Sequence, residues 1–171
     1  RVLFRSPKAA AHTVLAEQRV FPEFCLQYQH SLLSDIQLKH PVKVVLDGLN
    51  GSAGRCAALV LKKLGCDVAA IRCEADGNFP DHAPDPSQEV HLKKIRQAVL
   101  DQNAEIGIAL DGDGDRLVLI DEHGKIISAD RLLCLFAEMC LSDHPEYEIV
   151  GENWEHPYTR AKAAYPTDWV A

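Results

Sequence analysis

The chain has 171 residues, a formal net charge of −7 with its eight histidines counted as neutral, 47% apolar residues and 25% charged ones. That length suits one domain with a real core, and the composition is that of an ordinary soluble protein. The acidic balance argues against non-specific nucleic-acid binding, which needs surplus Lys and Arg, and against a polybasic membrane anchor. No apolar run approaches the roughly 20 residues needed to span a bilayer, and the N-terminus lacks the continuous apolar stretch of a secretory signal.

Val20 to Leu38 reads as a first helix, with Leu26, Leu32, Leu33 and Ile36 near the helical period. His40-Pro41 ends it, because a residue before proline avoids the helical region. Val42 to Leu46 is a valine-rich buried strand, followed by Asp47-Gly48. Gly51-Ser52-Ala53-Gly54 opens a helix through about Leu64, with Ala57, Leu61 and Leu64 on its buried face and Gly65 at its C-terminal cap. Asn50 with Gly51 to Gly54 reads as a structural strand-to-helix turn rather than an anion site.

Val68 to Cys73 is a second strand. Glu74 to Gln88 carries Gly77, Pro80, Pro84 and Pro86, a density of breakers that makes it a loop, and His82 within it reads as a surface histidine. A helix from about Glu89 to Gln102 buries Leu92, Ile95 and Val99, with Asp85 or Ser87 as candidate caps. Ile106 to Leu110 is a third strand. Arg116 to Asp121 and Lys125 to Ser128 form a hairpin about Glu122-His123-Gly124. Arg131 to Leu141 is a last helix, capped by Asp130, and Glu148 to Val150 a last strand.

Strand-helix-strand-helix-strand implies a three-layer α/β/α fold with a mostly parallel sheet, plus a C-terminal β-hairpin. The six cysteines, Cys25, Cys56, Cys66, Cys73, Cys134 and Cys140, form no CxxC pair, and several sit in apolar segments. They read as buried free thiols of a cytoplasmic protein. The folding domain is expected over residues 19 to 150. Residues 1 to 18 read as a linker remnant or artefact, since Arg1 to Ser6 resembles a translated sequencing adapter; residues 151 to 171 read as an atypical tail of the kind a frameshift produces.

The most informative stretch is Asp111-Gly112-Asp113-Gly114-Asp115-Arg116, directly after a buried strand. Open α/β sheets place their ligands at that end of a parallel strand. Residues i, i+2 and i+4 of an extended chain share a side, so the carboxylates of Asp111, Asp113 and Asp115 converge and repel. A divalent cation resolves the conflict, and Mg²⁺, with its preference for oxygen donors and phosphate, fits such a set. An EF-hand is the calcium alternative, but Arg116 stands where its sharp turn requires glycine and the flanks read as strands. Arg116 can steady the loop as an ion-pair partner or grip a phosphoryl oxygen.

The run Asp111 to Arg116 resembles the metal-loop signature of the α-D-phosphohexomutases. Lys43 to Asp47 with Asn50 to Gly54 is similar to the first strand and turn of that family's second domain, although Asp47-Gly48-Leu49-Asn50-Gly51 replaces the common Asp-Cys-Gly-Asn-Gly. Cys73 to Pro80 with Pro84-Asp85-Pro86, and Asp130 to Leu133 with Leu135-Phe136-Ala137, resemble the phosphomannomutase/phosphoglucomutase branch. The resemblance, from about Val20 to Val150, implies one of four domains around a cleft. It also implies a phosphoserine on another domain that exchanges a phosphoryl group with a hexose phosphate. The implied metal ligands are Asp111, Asp113 and Asp115, holding Mg²⁺, with Arg116 positioning the phosphoryl group. Neither the serine loop nor the sugar- and phosphate-reading loops are legible here, so the chain alone is expected to be inactive as a mutase. Two other readings stay open: a free-standing, non-catalytic Mg²⁺- or phosphate-binding module, and part of a phosphoglucosamine mutase.

Overall fold

The computed structural model describes residues 22–34 and 36–145. Helix α1 (Pro22–Ser34) precedes β1 (Lys43–Asp47), α2 (Gly54–Lys63), β2 (Asp67–Ile71) and a 3-10 turn (Glu89–Leu92) that runs into α3 (Lys93–Gln102). Then come β3 (Ile106–Leu110), β4 (Leu117–Asp121), β5 (Ile126–Ile127) and α4 (Ala129–Asp143). The predicted strand Glu148 to Val150 lies outside the described residues.

The strands form one sheet in the order β2-β1-β3-β4-β5. β1 pairs in parallel with β2 and β3, while β3–β4 and β4–β5 are antiparallel. The expected parallel core with its late hairpin is what forms. Gly124 turns that hairpin at φ +73°, a conformation other residues adopt only with strain.

Side chains alternate along each strand, which sorts the helices onto two faces. Val45, Ala109 and Ile120 point to one face and meet Leu92, Ile95, Val99 and Ala104 in the main core. That places α3 where the sequence pattern put it. Gly107 belongs to this face because a Cβ there would stand 2.7 Å from Val99 Cγ2. Leu46, Ile108 and Leu110 point the other way and line a groove with α1 and α2. Trimming one core methylene by Ile95→Val is expected to cost about 1 kcal/mol, read as a lower urea midpoint at unchanged slope; an unchanged midpoint would remove Ile95 from the core.

Helix α2 ends in a Schellman motif: Cys66 N–H donates to Leu61 O and Gly65 N–H to Lys62 O, with Gly65 at φ +92°. Its buried face is Gly54, Ala58 and Val60 rather than the expected Ala57, Leu61 and Leu64, which are half-buried. Helix α1 packs beside α2 and ends at Ser34, short of the expected Leu38, so Ile36, 47% exposed, lies past its end, while Leu26 within it is 61% exposed.

Two caps differ from expectation. Asp85 and Ser87 bond to each other instead of capping the helix that follows, whose N-cap is Gln88. Helix α4 starts after Ser128, so Asp130 lies in its first turn, where a carboxylate favours the helix dipole without capping. The described cysteines Cys56, Cys66, Cys73, Cys134 and Cys140 are free thiols; Cys66 is buried, but Cys140 is exposed on α4. Among the described residues, no helix is long and apolar enough to cross a membrane.

Candidate metal centre

Strand β1 connects to β2 on one side, while β3 lies on its other side. The chain diverges there, and the carboxyl ends of β1 and β3 flank the crevice where doubly wound sheets bind ligands. Two loops meet in it, residues 48–53 after β1 and residues 111–116 after β3.

Their contact is backbone to backbone. Ser52 N–H donates to Gly112 O at 2.9 Å, and the Ser52 hydroxyl donates to the same oxygen at 3.2 Å. A Cβ on Gly51 would stand 2.6 Å from Gly112 O, so only glycine permits this approach. Leu49 (φ 46°) and Asn50 (φ 59°) bend the chain through left-handed conformations to reach it.

The structure brings the three aspartates together: one carboxylate oxygen each from Asp111, Asp113 and Asp115 lies within 4.8 Å of the others. Their environments differ. Asp111 is buried at 1% exposure, whereas Asp113 and Asp115 are exposed. Asp111 Oδ1 accepts from the amides of Gly114 (2.9 Å) and Arg116 (3.1 Å), and its Oδ2 accepts from Arg116 Nε (2.8 Å) and Nη2 (2.7 Å). Burial alone would raise the Asp111 pKa, but the amide and guanidinium of Arg116 outweigh it and hold it below the usual carboxylate value. Asp115 moves upward, first because of the charge on Asp113 and then that on Asp111.

The donor set therefore suits a hard cation. It is all oxygen, clustered at the open end of a strand, and electrostatically frustrated by itself. Asp111 organises the loop, while Asp113 and Asp115 present exposed carboxylates, that of Asp115 with Arg116 Nε 3.6 Å from its Oδ1. Arg116 is 62% exposed and lies between Asp111 and Asp85, with Nη1 3.8 Å from Asp85 Oδ1. It is the loop's counter-ion in this geometry, and its exposure leaves it within reach of an anionic ligand.

Other neighbours of the loop have contacts that the sequence pattern does not assign. Pro84 lies over Gly112, whose hypothetical Cβ would stand 3.1 Å from Pro84 Cγ. Asp47, fully buried at the end of β1, pairs through both oxygens with Arg72. Its position inside an apolar strand was a usable signal, since a buried carboxylate requires a partner. His82, expected on the surface, is half-buried and stacks on His91 with ring centroids 3.9 Å apart. The loop folds back on the 3-10 turn, which sequence pattern could not reveal.

The sequence matches the family described as phosphoglucomutase/phosphomannomutase, alpha/beta/alpha domain II, over residues 23–124. A phosphomannomutase/phosphoglucomutase of Pseudomonas putida is 42% identical over 137 residues, covering 80% of this chain and 30% of the relative. A probable phosphoglucosamine mutase of Methanothermobacter thermautotrophicus matches over less of the chain, 64%, at 39% identity. Among solved structures, a phosphoglucomutase/phosphomannomutase family protein from Burkholderia thailandensis aligns with TM-score 0.67 and 44% identity, over 70% of this chain and 26% of that one. The chain thus spans under a third of the length of these two phosphomannomutase/phosphoglucomutase-type relatives. Since the match takes in β1 through the β4–β5 turn, with both loops of the crevice inside it, this chain belongs to the phosphoglucomutase/phosphomannomutase family as its α/β/α domain II.

Proposed function

We propose that this domain supplies the Mg²⁺ site of a phosphohexomutase that interconverts hexose 1- and 6-phosphates through a phosphoserine carried on another domain. The observation that carries the reading is the convergence of Asp111, Asp113 and Asp115 at the diverging end of the sheet, in a chain of this family. Asp113 and Asp115 would hold the cation with Asp111, whose fixed carboxylate sets the curl of the loop. A bound Mg²⁺ would neutralise charge on the phosphoryl oxygens as a Lewis acid. Arg116 would orient a phosphoryl oxygen through its exposed guanidinium, a task suited to planar, paired donors. The phosphoserine and the sugar phosphate would come from outside this chain, which alone is expected to show no mutase turnover.

The free-standing module fits less well. Leu133, Leu135, Phe136 and Met139 of α4 are 46–56% exposed, and Leu26 and Leu59 of the opposite groove are 61% and 42% exposed. So much apolar surface on two sides suits a domain that packs against others. The phosphomannomutase/phosphoglucomutase branch is favoured over the phosphoglucosamine branch by the longer match to it.

A direct test uses Mn²⁺ as a paramagnetic probe with this chain. One bound ion is expected, displaced by Mg²⁺. Asp115→Asn should weaken it by more than about 100-fold, since even outer-shell partners of metals are worth 10–100-fold. The same substitution removes the carboxylate that Asp113 and Asp111 repel, so the melting temperature in EDTA should rise. Retained Mn²⁺ affinity together with a lowered melting temperature would reject the ligand assignment.

A further inference from the structure

Arg72 sits at the end of β2 in a left-handed conformation, φ 47°, which a long side chain adopts only when its surroundings hold it there. Its side chain is 7% exposed and serves four partners. Nε donates to Asp47 Oδ1 at 2.9 Å, and Nη2 to Asp47 Oδ2. Nη1 donates to His82 Nε2 at 2.6 Å and to Asp81 Oδ2 at 3.3 Å, and Nη2 also reaches His91 O at 3.3 Å. Lys94 Nζ shares Asp81 Oδ2 at 3.3 Å.

The two histidines carry this order onward. With Nε2 accepting from Arg72, His82 donates through Nδ1 to Ala83 O at 2.8 Å. His91, stacked on it at an interplanar angle of 6°, donates through Nδ1 to Asp85 O at 2.7 Å. These carbonyls flank Pro84, the residue that covers Gly112, and Asp85 is the residue whose carboxylate faces Arg116. A buried ion pair at the β1–β2 edge is thus joined, by hydrogen bonds and ring stacking, to the loop that holds three aspartates.

We propose that Arg72 is a positioning residue for the carboxylate loop: through His82 and His91 it seats Pro84 on Gly112 and Asp85 beside Arg116. It touches neither a carboxylate of the triad nor any ligand of it. Its part is to hold the wall against which residues 111–116 curl. The purpose given to the loop rests on the metal reading above; the seating itself does not.

Arg72→Lys keeps the charge opposite Asp47 but cannot serve Asp47, His82, Asp81 and His91 O together. In the 171-residue chain, two readouts are taken: Mn²⁺ affinity, and the ¹H–¹⁵N positions of the Gly112 and Gly114 amides without metal. Both amides are expected to shift, and Mn²⁺ binding to weaken about 10-fold, the low end for outer-shell partners. A purely structural role would lower the melting temperature and leave both readouts unchanged below it; that result overturns the proposal. If the wild-type chain binds no Mn²⁺, the metal reading fails, and the amide positions still decide whether Arg72 seats the loop. Should Arg72→Lys not fold, Pro84→Ala decides. It removes the ring over Gly112 while sparing the ion pair, and is expected to move the same amides; unmoved amides there also overturn the proposal.

Discussion

Asp113→Ala, made in the complete enzyme, is expected to lower phosphoryl transfer by at least about 10³-fold while leaving the domain folded. A metal supplies several kcal/mol of charge stabilisation at a phosphoryl group, and each 1.4 kcal/mol or so is about tenfold in rate. Asp113 is exposed and its carboxylate takes no part in the hydrogen bonds that shape the loop, where the accepting carboxylate is that of Asp111. Its removal should therefore cost the site a ligand and cost the fold little. The contrast with Asp111 is instructive. Asp111→Ala would strip two amides and the Arg116 guanidinium of their acceptor, so lost activity there would not separate ligation from folding. Near-normal turnover of Asp113→Ala in Mg²⁺, with an unchanged melting temperature, would reject the ligand assignment.

Much of this arrangement was legible because local chemistry and tertiary context agree. Ile106 to Leu110 is a strand by its apolar run and by observation, ending at the same residues. The helix through Leu92, Ile95 and Val99 shows its period because that face alone meets the sheet. Asp111 to Arg116 could be read because three carboxylates in alternation have few purely structural uses. Reading failed where the deciding contact is non-local. The apolar period expected to Leu38 outlasts α1, which ends at Ser34 before Ile36; within the helix Leu26 stays exposed while Gln29 is buried, where its side chain accepts from Lys63 of α2 at 2.8 Å. Arg72 follows an apolar strand and shows no motif, and its partner Asp47 lies 25 positions earlier. His82 looks like any loop histidine until the 3-10 turn brings His91 beneath it. Asp130 reads as a cap in the sequence but falls in the first turn after the Ser128 cap, because helix boundaries shift by a residue or two without changing the apolar pattern.

Gly51→Ala is the substitution expected to do most damage to the chain itself. The added Cβ would meet three backbone atoms: Gly112 O at 2.6 Å, Asp111 O at 2.8 Å and Gly112 Cα at 2.9 Å. Backbone cannot rotate away as a side-chain tip can, so the two loops must separate. Overpacking of this kind costs about 1–3 kcal/mol and occasionally more; with three backbone atoms of Asp111 and Gly112 in the way, about 3 kcal/mol is expected here. Separation would also strain the bonds from the Ser52 amide and hydroxyl to Gly112 O, which lock the turn after β1 to the carboxylate loop. Stability and metal affinity should therefore fall together, whereas Asp115→Asn moves them in opposite directions. That difference separates a residue that builds the site from one that serves as its ligand. Urea denaturation and Mn²⁺ titration of both variants give the comparison. A Gly51→Ala chain with wild-type stability and wild-type affinity would mean that the loops do not touch in solution, and the crevice between β1 and β3 would lose its structural basis.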